Sequence, residues 1–254
     1  MSVHCIYKNK KITSYQAVES LRAYLNLDKS SKLGYAGRLD PMAEGLFLVL
    51  EGDDNKRQKD FFEMDKEYVI EAVFGVGTDT GDVLGFVSSD IRFVDFRIDE
   101  LMRACNKFVG KYFQKVPVYS AVRVQGKPLF WWAKNDKLEE INIPSYERNI
   151  FSIDILEKSG IDIKSMRDMV FDSISGVIGH FRQEETSRRW QEFFDSHARE
   201  KYIKVILRVN CSSGTFMRQL ITDIADSMGM SATIVKLTRT RVGEYDLNDA
   251  LSLK

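Results

Sequence analysis

The segment GYAGRLDPMAEG, Gly34 to Gly45, sets a central carboxylate, Asp40, among three glycines and a proline, just before the apolar run LFLVL. A loop of this make-up can bring backbone close to a ligand, because positions without bulky side chains tolerate close approach and unusual dihedrals. A carboxylate presented by it could serve as a nucleophile or a general base. An Asp-Pro pair by itself marks only a turn, so Asp40 gains weight from the company it keeps.

Other chemistries find little support. Cys5, Cys105 and Cys211 are odd in number, far apart and without a CxxC pair, which fits a reducing compartment and argues against a disulfide framework. His4, His180 and His197 lack HxxxH or HExxH spacing, so no zinc site is expected. No metal is implied, and no cofactor motif is present.

The charges sum to zero over 254 residues but are unevenly spread. Residues 103–137 carry Arg103, Lys107, Lys111, Lys115, Arg123, Lys127, Lys134 and Lys137 against Asp136 alone. Residues 204–241 carry six bases against Asp223 and Asp226, whereas residues 40–67 hold nine acids and four bases. This segregation predicts a two-faced molecule with a basic surface suited to nucleic acid. A hydrophobic content of 44% allows a sizeable core. No apolar run approaches the roughly twenty residues that a bilayer requires. The opening MSVHCIYKNKK lacks the apolar centre of a secretory signal. The expectation is a cytoplasmic protein with no membrane partner.

Several elements could position Asp40. TSYQAVESLRAYL places Ala17, Val18, Leu21 and Leu25 at helical spacing behind Thr13 and Ser14, either of which could cap the first turn. LFLVL, ended by EGDDN, reads as a buried strand immediately downstream of Asp40. EYVIEAVFGV alternates as a half-buried strand and closes in the turn TDTGDVLG. IDELMRACNKFVG reads as a helix with Gly110 as its C-terminal cap. YIKVILRVN reads as a strand, CSSG as a turn, and TFMRQLITDIADSMG as a helix ended by Gly229, with Arg218 in its first turn. Between LEKSG and YIKV, about 158–201, mixed charges and helically spaced apolar residues predict one or two inserted helices.

Four ordered blocks then carry a resemblance: GYAGRLDPMAEG, KEYVIEAVFGVGTDTGDVLG, VPVYSAVRVQGK and VNCSSGTFMRQLITDIADSMGMSATIVKLTRT. Together they resemble the TruB-type tRNA pseudouridine-55 synthases, over most of residues 10–157 and 202–251. GRLD alone is less specific, being shared with the RsuA and RluA branches of the pseudouridine synthases. The resemblance implies a single mixed α/β (α+β) catalytic domain over 1–254, with a largely antiparallel mixed sheet flanked by helices and the helical insertion within it. It implies a cofactor-free isomerisation of uridine that replaces the N1–C1′ bond by a C5–C1′ bond. Asp40 is carried over as the catalytic aspartate, Tyr68 as the tyrosine stacked on the base, and Arg218 as the arginine paired with the aspartate. Leu237 matches the apolar residue closing the base pocket. Lys66, Arg123, Lys127 and Arg239 are expected substrate contacts, and VPVYSAVRVQGKPLFWWAKNDK resembles a mobile loop gripping an RNA stem-loop. The implied partner is the T-arm stem-loop of tRNA, and the working expectation is a monomer.

The sequence also departs from the family. Tyr35 stands where a histidine is usual, Arg38 where a small residue is common, Phe216 replaces a tyrosine and Ser213 a lysine. These positions put base flipping and substrate choice in play, and Tyr35, Arg38 and Phe216 are counted as substrate-binding candidates. Many relatives continue into an RNA-binding PUA domain, which is not expected here because the chain stops at LNDALSLK. The alternatives are an enzyme acting on ribosomal RNA, suggested by GRLD and Arg38, and a catalytically inactive RNA-binding protein, suggested by Tyr35 and Phe216.

Overall fold

A computed structural model describes residues 2–88, 95–196 and 201–253. His197 and the far end of the expected insertion lie outside them. The chain opens with strand β1 (Ser2–Lys8), helix α1 (Ser14–Tyr24), and strands β2 (Leu33–Ala36) and β3 (Ala43–Glu51). A short helix α2 (Gln58–Glu63), strand β4 (Lys66–Phe74), helix α3 (Ile98–Asn106) and strand β5 (Gly110–Lys115) follow. An arm then carries the two-residue strands β6 (Arg123–Val124) and β7 (Lys127–Pro128) and helix α4 (Leu129–Lys134). Strand β8 (Ser145–Asp162) leads into helices α5 (Ile163–Ile174) and α6 (Gln183–Ser196). Strand β9 (Lys201–Cys211), helix α7 (Met217–Asp226) and strand β10 (Ala232–Val242) precede two short strands, β11 (Tyr245–Asp246) and β12 (Leu251–Ser252).

The main sheet runs β12-β1-β3-β10-β4-β9-β8-β5, with β2 beside β3 and β11 beside β10. Among the described strands of this sheet, β1–β12 and β10–β3 pair in parallel and every other pairing is antiparallel. The expected mixed, largely antiparallel sheet with flanking helices is what the chain forms. LFLVL is continuously apolar because β3 is covered on both faces. Phe47 and Val49 enter the main core, while Leu46, Leu48 and Leu50 pack with Phe61 and Val242 on the other side. Strand β4 alternates instead, burying Tyr68, Ile70 and Ala72 and turning Glu67 and Glu71 outward. Thr13 caps α1 in a reciprocal capping box with Gln16.

Three expectations change. Gly110 does not cap α3: the helix stops at Asn106 and Gly110, at φ +95°, begins β5. Residues 158–162 are not helical but the end of β8, paired with Lys201–Val205 of β9. The charge segregation along the chain also does not survive folding. Acidic β3 and β4 lie beside basic β9 and β10, so Glu71 meets Lys204 and Lys236 at 3.8 and 3.9 Å, Glu44 meets Lys236 at 3.6 Å, and Glu67 meets Arg241 at 3.7 Å. Within 103–137, Arg103, Lys111 and Lys137 pair with acids, whereas no carboxylate among the described residues pairs with Arg123, Lys127 or Lys134. Three of the cations in that segment without a carboxylate partner, Arg123, Lys127 and Lys134, therefore lie on the arm.

The parallel contact of β3 with β10 sits directly behind Asp40 and depends on Gly45. Its φ is +108°, and a Cβ there would lie 2.4 Å from the Arg239 carbonyl oxygen. Gly45→Ala is expected to destabilise the protein by about 2–4 kcal/mol, from strain and backbone collision together. Chemical denaturation checks this; a change within about 0.5 kcal/mol, the usual range for a neutral substitution, would contradict it.

Candidate active site

Asp40 lies in the loop between β2 and β3, and its backbone is fixed on both sides. The Leu39 amide donates to Ser14 Oγ at 3.0 Å, and that hydroxyl donates to the Leu39 carbonyl at 3.0 Å. The Asp40 carbonyl accepts from the Ala43 amide at 3.0 Å and from Lys8 Nζ at 3.2 Å. Lys8 also donates to the carbonyls of Ala43 at 2.7 Å and Asn9 at 3.1 Å. It is fully buried, and burial pulls its ammonium down to about 7 against the opposing attraction of Asp40. Three carbonyls thus absorb a buried lysine, and the loop gains an anchor.

The Asp40 carboxylate meets Arg218 Nη2 at 2.9 Å. CSSG closes β9 and delivers α7 with Phe216 at its N-cap, so Arg218 sits one residue into the helix with its side chain only 7% exposed. Its other donors are used as well: Nη1 to the Thr80 carbonyl at 2.7 Å and Nη2 to the Tyr119 carbonyl at 3.1 Å, with Nε 3.6 Å from Asp82. Burial alone would lower the guanidinium pKa, but the two carboxylates outweigh it and raise it. Asp82 is buried; that burial pushes its carboxyl up to about 6 despite Arg218, Thr80 and the Leu84 amide. Asp40, by contrast, keeps 40% of its side chain open to solvent. Both acids border a cleft, but of the two only Asp40 is substantially open to solvent.

One cleft, of about 330 Å³, is lined by Asp40, Tyr68, Arg218, Leu237, Phe216 and Arg38, with Lys66 and Arg239 also in its wall. The volume is at the small end for ligand sites. Tyr68, on β4, is buried, and burial above all raises its phenol pKa, with Arg239 acting in the opposite direction. At neutral pH the ring is therefore an uncharged phenol, fit to stack and to donate or relay a proton rather than to stand as a base. Arg239 is fully buried, donating to the carbonyls of Leu46 at 2.8 Å and Gly37 at 3.2 Å. Lys66 is buried and donates to the carbonyls of Phe62 at 2.5 Å and Met64; burial, and then Arg239, lowers it to about 8. Both cations brace the wall of the cleft from within.

Tyr35 lines a second, adjoining cleft of about 530 Å³, which also includes Asp40, Arg218, Arg38, Phe130, Lys134 and Arg182. The Asp40–Arg218 pair lies where the two clefts meet. Tyr35 packs on Phe47 with ring centroids 5.3 Å apart, and its hydroxyl receives Arg38 Nη2 at 3.4 Å. Arg123 and Lys127 line neither cleft. They sit on the β6–β7 hairpin, with Arg123 bonded to the Gly126 carbonyl and Lys127 3.5 Å above the Trp131 ring. The arm has a small core of its own, Val116, Leu129, Trp132 and Ile141, against which Phe216 packs. Among the described residues no group of three or more His, Cys, Asp or Glu side chains is placed to hold a metal ion, and no helix is long and apolar enough to cross a membrane. The sequence reading did not single out Lys8, Asp82, Tyr119 or Arg182. Asp82 lay inside TDTGDVLG, where an acid flanked by glycine reads simply as a turn.

The model of the "TruB family pseudouridylate synthase (N terminal domain)" matches residues 22–168, more than half of the chain. The chain belongs to the TruB family. It is a pseudouridine synthase by that membership, and TruB relatives match nearly its whole length. The tRNA pseudouridine synthase B of Endomicrobium trichonymphae is 29% identical over 243 residues, covering 96% of this chain and 85% of that protein. The tRNA pseudouridine synthase B of Lactobacillus acidophilus is 30% identical over 250 residues, covering 98% of this chain and 70% of that protein. A solved Cbf5-Nop10-Gar1 complex contains a chain of the same fold, with TM-score 0.60 and 20% identity over 99% of this chain. This TruB chain spans 52% of that one's length.

The burial of Asp82 has a measurable sign. A folded-state pKa near 6, raised from 3.8, means that Asp82 favours folding below the unfolded value and that this contribution is lost as pH rises through about 6. Asp82→Asn should therefore gain stability relative to the parent between pH 4 and pH 7, on the order of 3 kcal/mol. Denaturant titrations at the two pH values test it; a stability difference independent of pH would contradict it.

Proposed function

We propose that this chain isomerises a uridine of tRNA to pseudouridine, with position 55 in the T-arm loop as the target. The observation that carries the reading is Asp40, held at 2.9 Å by a buried arginine and open to a cleft walled by Tyr68 and Leu237. The reaction breaks N1–C1′, forms C5–C1′, removes the proton from C5 and returns one to N1, with no net oxidation. An ionised carboxylate at the sugar is what it needs, attacking C1′ or acting as a base beside it. Arg218 binds the carboxylate through a charge-assisted hydrogen bond and fixes its direction. Tyr68 offers a face for the uracil, and Leu237 closes the pocket around it.

The uridine must leave its stack first, at a cost of a few kcal/mol. Tyr35 and Arg38, joined through the tyrosine hydroxyl at the cleft mouth, are suited to fill the gap it leaves. The arm supplies the compensating grip. Lys127 over Trp131 and Lys134 over Phe130 combine cations with aromatic faces, the mixture that looped RNA favours. An exposed Arg38 within GRLD is the feature that favours a ribosomal RNA target instead. Mapping the modified nucleotides in cells with and without the protein separates the two. Tyr35 and Phe216 are the features that favour catalytic inactivity, and the meeting of Asp40, Tyr68 and Arg218 in one cleft speaks against it.

Asp40→Asn should abolish pseudouridine formation on an unmodified tRNA transcript while leaving RNA affinity nearly unchanged. Turnover detected by mass spectrometry in that variant would refute the role of Asp40. Lys127→Glu and Lys134→Glu should weaken RNA binding and flatten the dependence of log Kd on log salt by roughly 0.7 for each phosphate no longer neutralised. An unchanged slope would remove the arm from the RNA interface.

A further inference from the structure

The helices α5 and α6 have no part in the chemistry just described, yet the link between them meets the rest of the chain beside it. Arg182, immediately before α6, has φ +62°, a left-handed backbone uncommon outside glycine. The geometry is held in place: Gln183 donates to the carbonyls of Val177 at 3.0 Å and Gly179 at 2.5 Å and accepts from the Phe181 amide at 2.9 Å, and the Arg182 carbonyl receives the Thr186 amide at 2.8 Å. The side chain is thereby aimed at a junction of two other segments. Its Nη1 donates to Asp79 Oδ2 at 2.9 Å and to the Tyr119 hydroxyl at 2.9 Å. The guanidinium also lies over two rings, 3.9 Å from the centroid of Phe86 and 4.4 Å from that of Tyr119.

Both partners lead to Arg218. Asp79 belongs to the 78–87 turn, where the Thr80 carbonyl and the Asp82 carboxylate face Arg218, and its own Oδ1 accepts from the Phe86 amide at 2.7 Å. Tyr119 belongs to the arm, and its carbonyl is the other main-chain acceptor of Arg218. Helix α6 strengthens the same attachment: Trp190 Nε1 donates to the Val83 carbonyl at 3.1 Å and Thr186 Oγ1 to that of Leu84 at 3.3 Å. On the other side, the Ile178 amide donates to the Lys11 carbonyl, and the Lys11 amide in turn to that of Pro41, next to Asp40.

We propose that Arg182 is a positioning residue that latches the arm at Tyr119 to the turn at Asp79, keeping the two carbonyls that direct Arg218 toward Asp40 in register. The insertion is then the scaffold that presents the latch. A planar fork lying against two rings does this where an ammonium could not. The inference rests on the reading of Asp40 as the reacting carboxylate.

The test compares the full chain with Arg182→Met, Asp79→Asn and the double variant, using single-turnover kinetics and RNA binding on an unmodified tRNA transcript. Arg182→Met should lower the rate at saturating RNA by about 10- to 100-fold, the loss expected when a catalytic group is slightly misplaced. RNA affinity should change by less than about threefold, so that the loss falls on the chemical step. Asp79→Asn should reproduce the loss, and the double variant should be no slower than the slower single one. Arg182→Lys, which keeps charge and stem, should remain folded and still show a rate loss. Unchanged rates, a loss confined to RNA affinity, or losses that multiply in the double variant would overturn the latch. If the parent protein forms no pseudouridine, the reading of the site fails, and the latch is judged by amide exchange alone. Faster exchange at 78–87 and 116–124 in Arg182→Met supports it, and unchanged exchange overturns it.

Discussion

A guanidinium almost wholly removed from water must have its donors satisfied, and Arg218 imposes that requirement on three separate pieces of chain. The glycine loop brings Asp40, the 78–87 turn brings Thr80 and Asp82, and the arm brings the Tyr119 carbonyl. None of these segments belongs to the regular part of the sheet. Their meeting at one side chain turns a collection of loops into a site. The two acids around it show how environment divides roles: Asp82, enclosed, is pushed toward neutrality, whereas Asp40 keeps an open face. The arginine binds both, and Asp40 is by far the more exposed of the two.

Behind this pair the chain uses buried cations as fasteners. Lys8 is held by three carbonyls, one of them that of Asp40, and Arg239 holds the carbonyls of Gly37 and Leu46 on either side of the loop. Such groups are costly to bury, and the hydrogen bonds they make offset that cost only while the loop keeps its conformation. Rigidity of the loop and satisfaction of these cations are one condition. Elsewhere, sheet pairing brings the acids of β3 and β4 against the bases of β9 and β10, and the cations left without carboxylate partners within 103–137 include Arg123, Lys127 and Lys134 of the arm. Charge that looks divided along the sequence is largely neutralised across neighbouring strands.

What the sequence revealed was governed by short-range physics. Five consecutive apolar residues in LFLVL follow from burial on two faces, the alternation of EYVIEAVFGV from burial on one, and the Thr13 cap from a bond three residues away. Asp40, Tyr68, Arg218 and Leu237 were found through ordered blocks, and they share one cleft. Long-range partners were hidden. Nothing in YKNKK distinguishes Lys8, whose acceptor at Asp40 is 32 positions away, and nothing in HFRQEE distinguishes Arg182, bonded to Asp79 across 103 positions. Gly110 misled because a glycine after a helix can as readily open the next strand at positive φ. The end of β8 was obscured by mixed charges on a strand whose pairing partner lies beyond the two helices.

The central claim is that Asp40, aimed by Arg218, meets the sugar of an extruded uridine. A crystal structure of the Asp40→Asn variant with an unmodified tRNA stem-loop tests it most directly. The account predicts the uridine in the cleft between Tyr68 and Leu237, with C1′ about 3–3.5 Å from the residue 40 side chain and Arg218 still bonded to it. A uridine left stacked in the RNA, or seated in a different part of the surface, would contradict it.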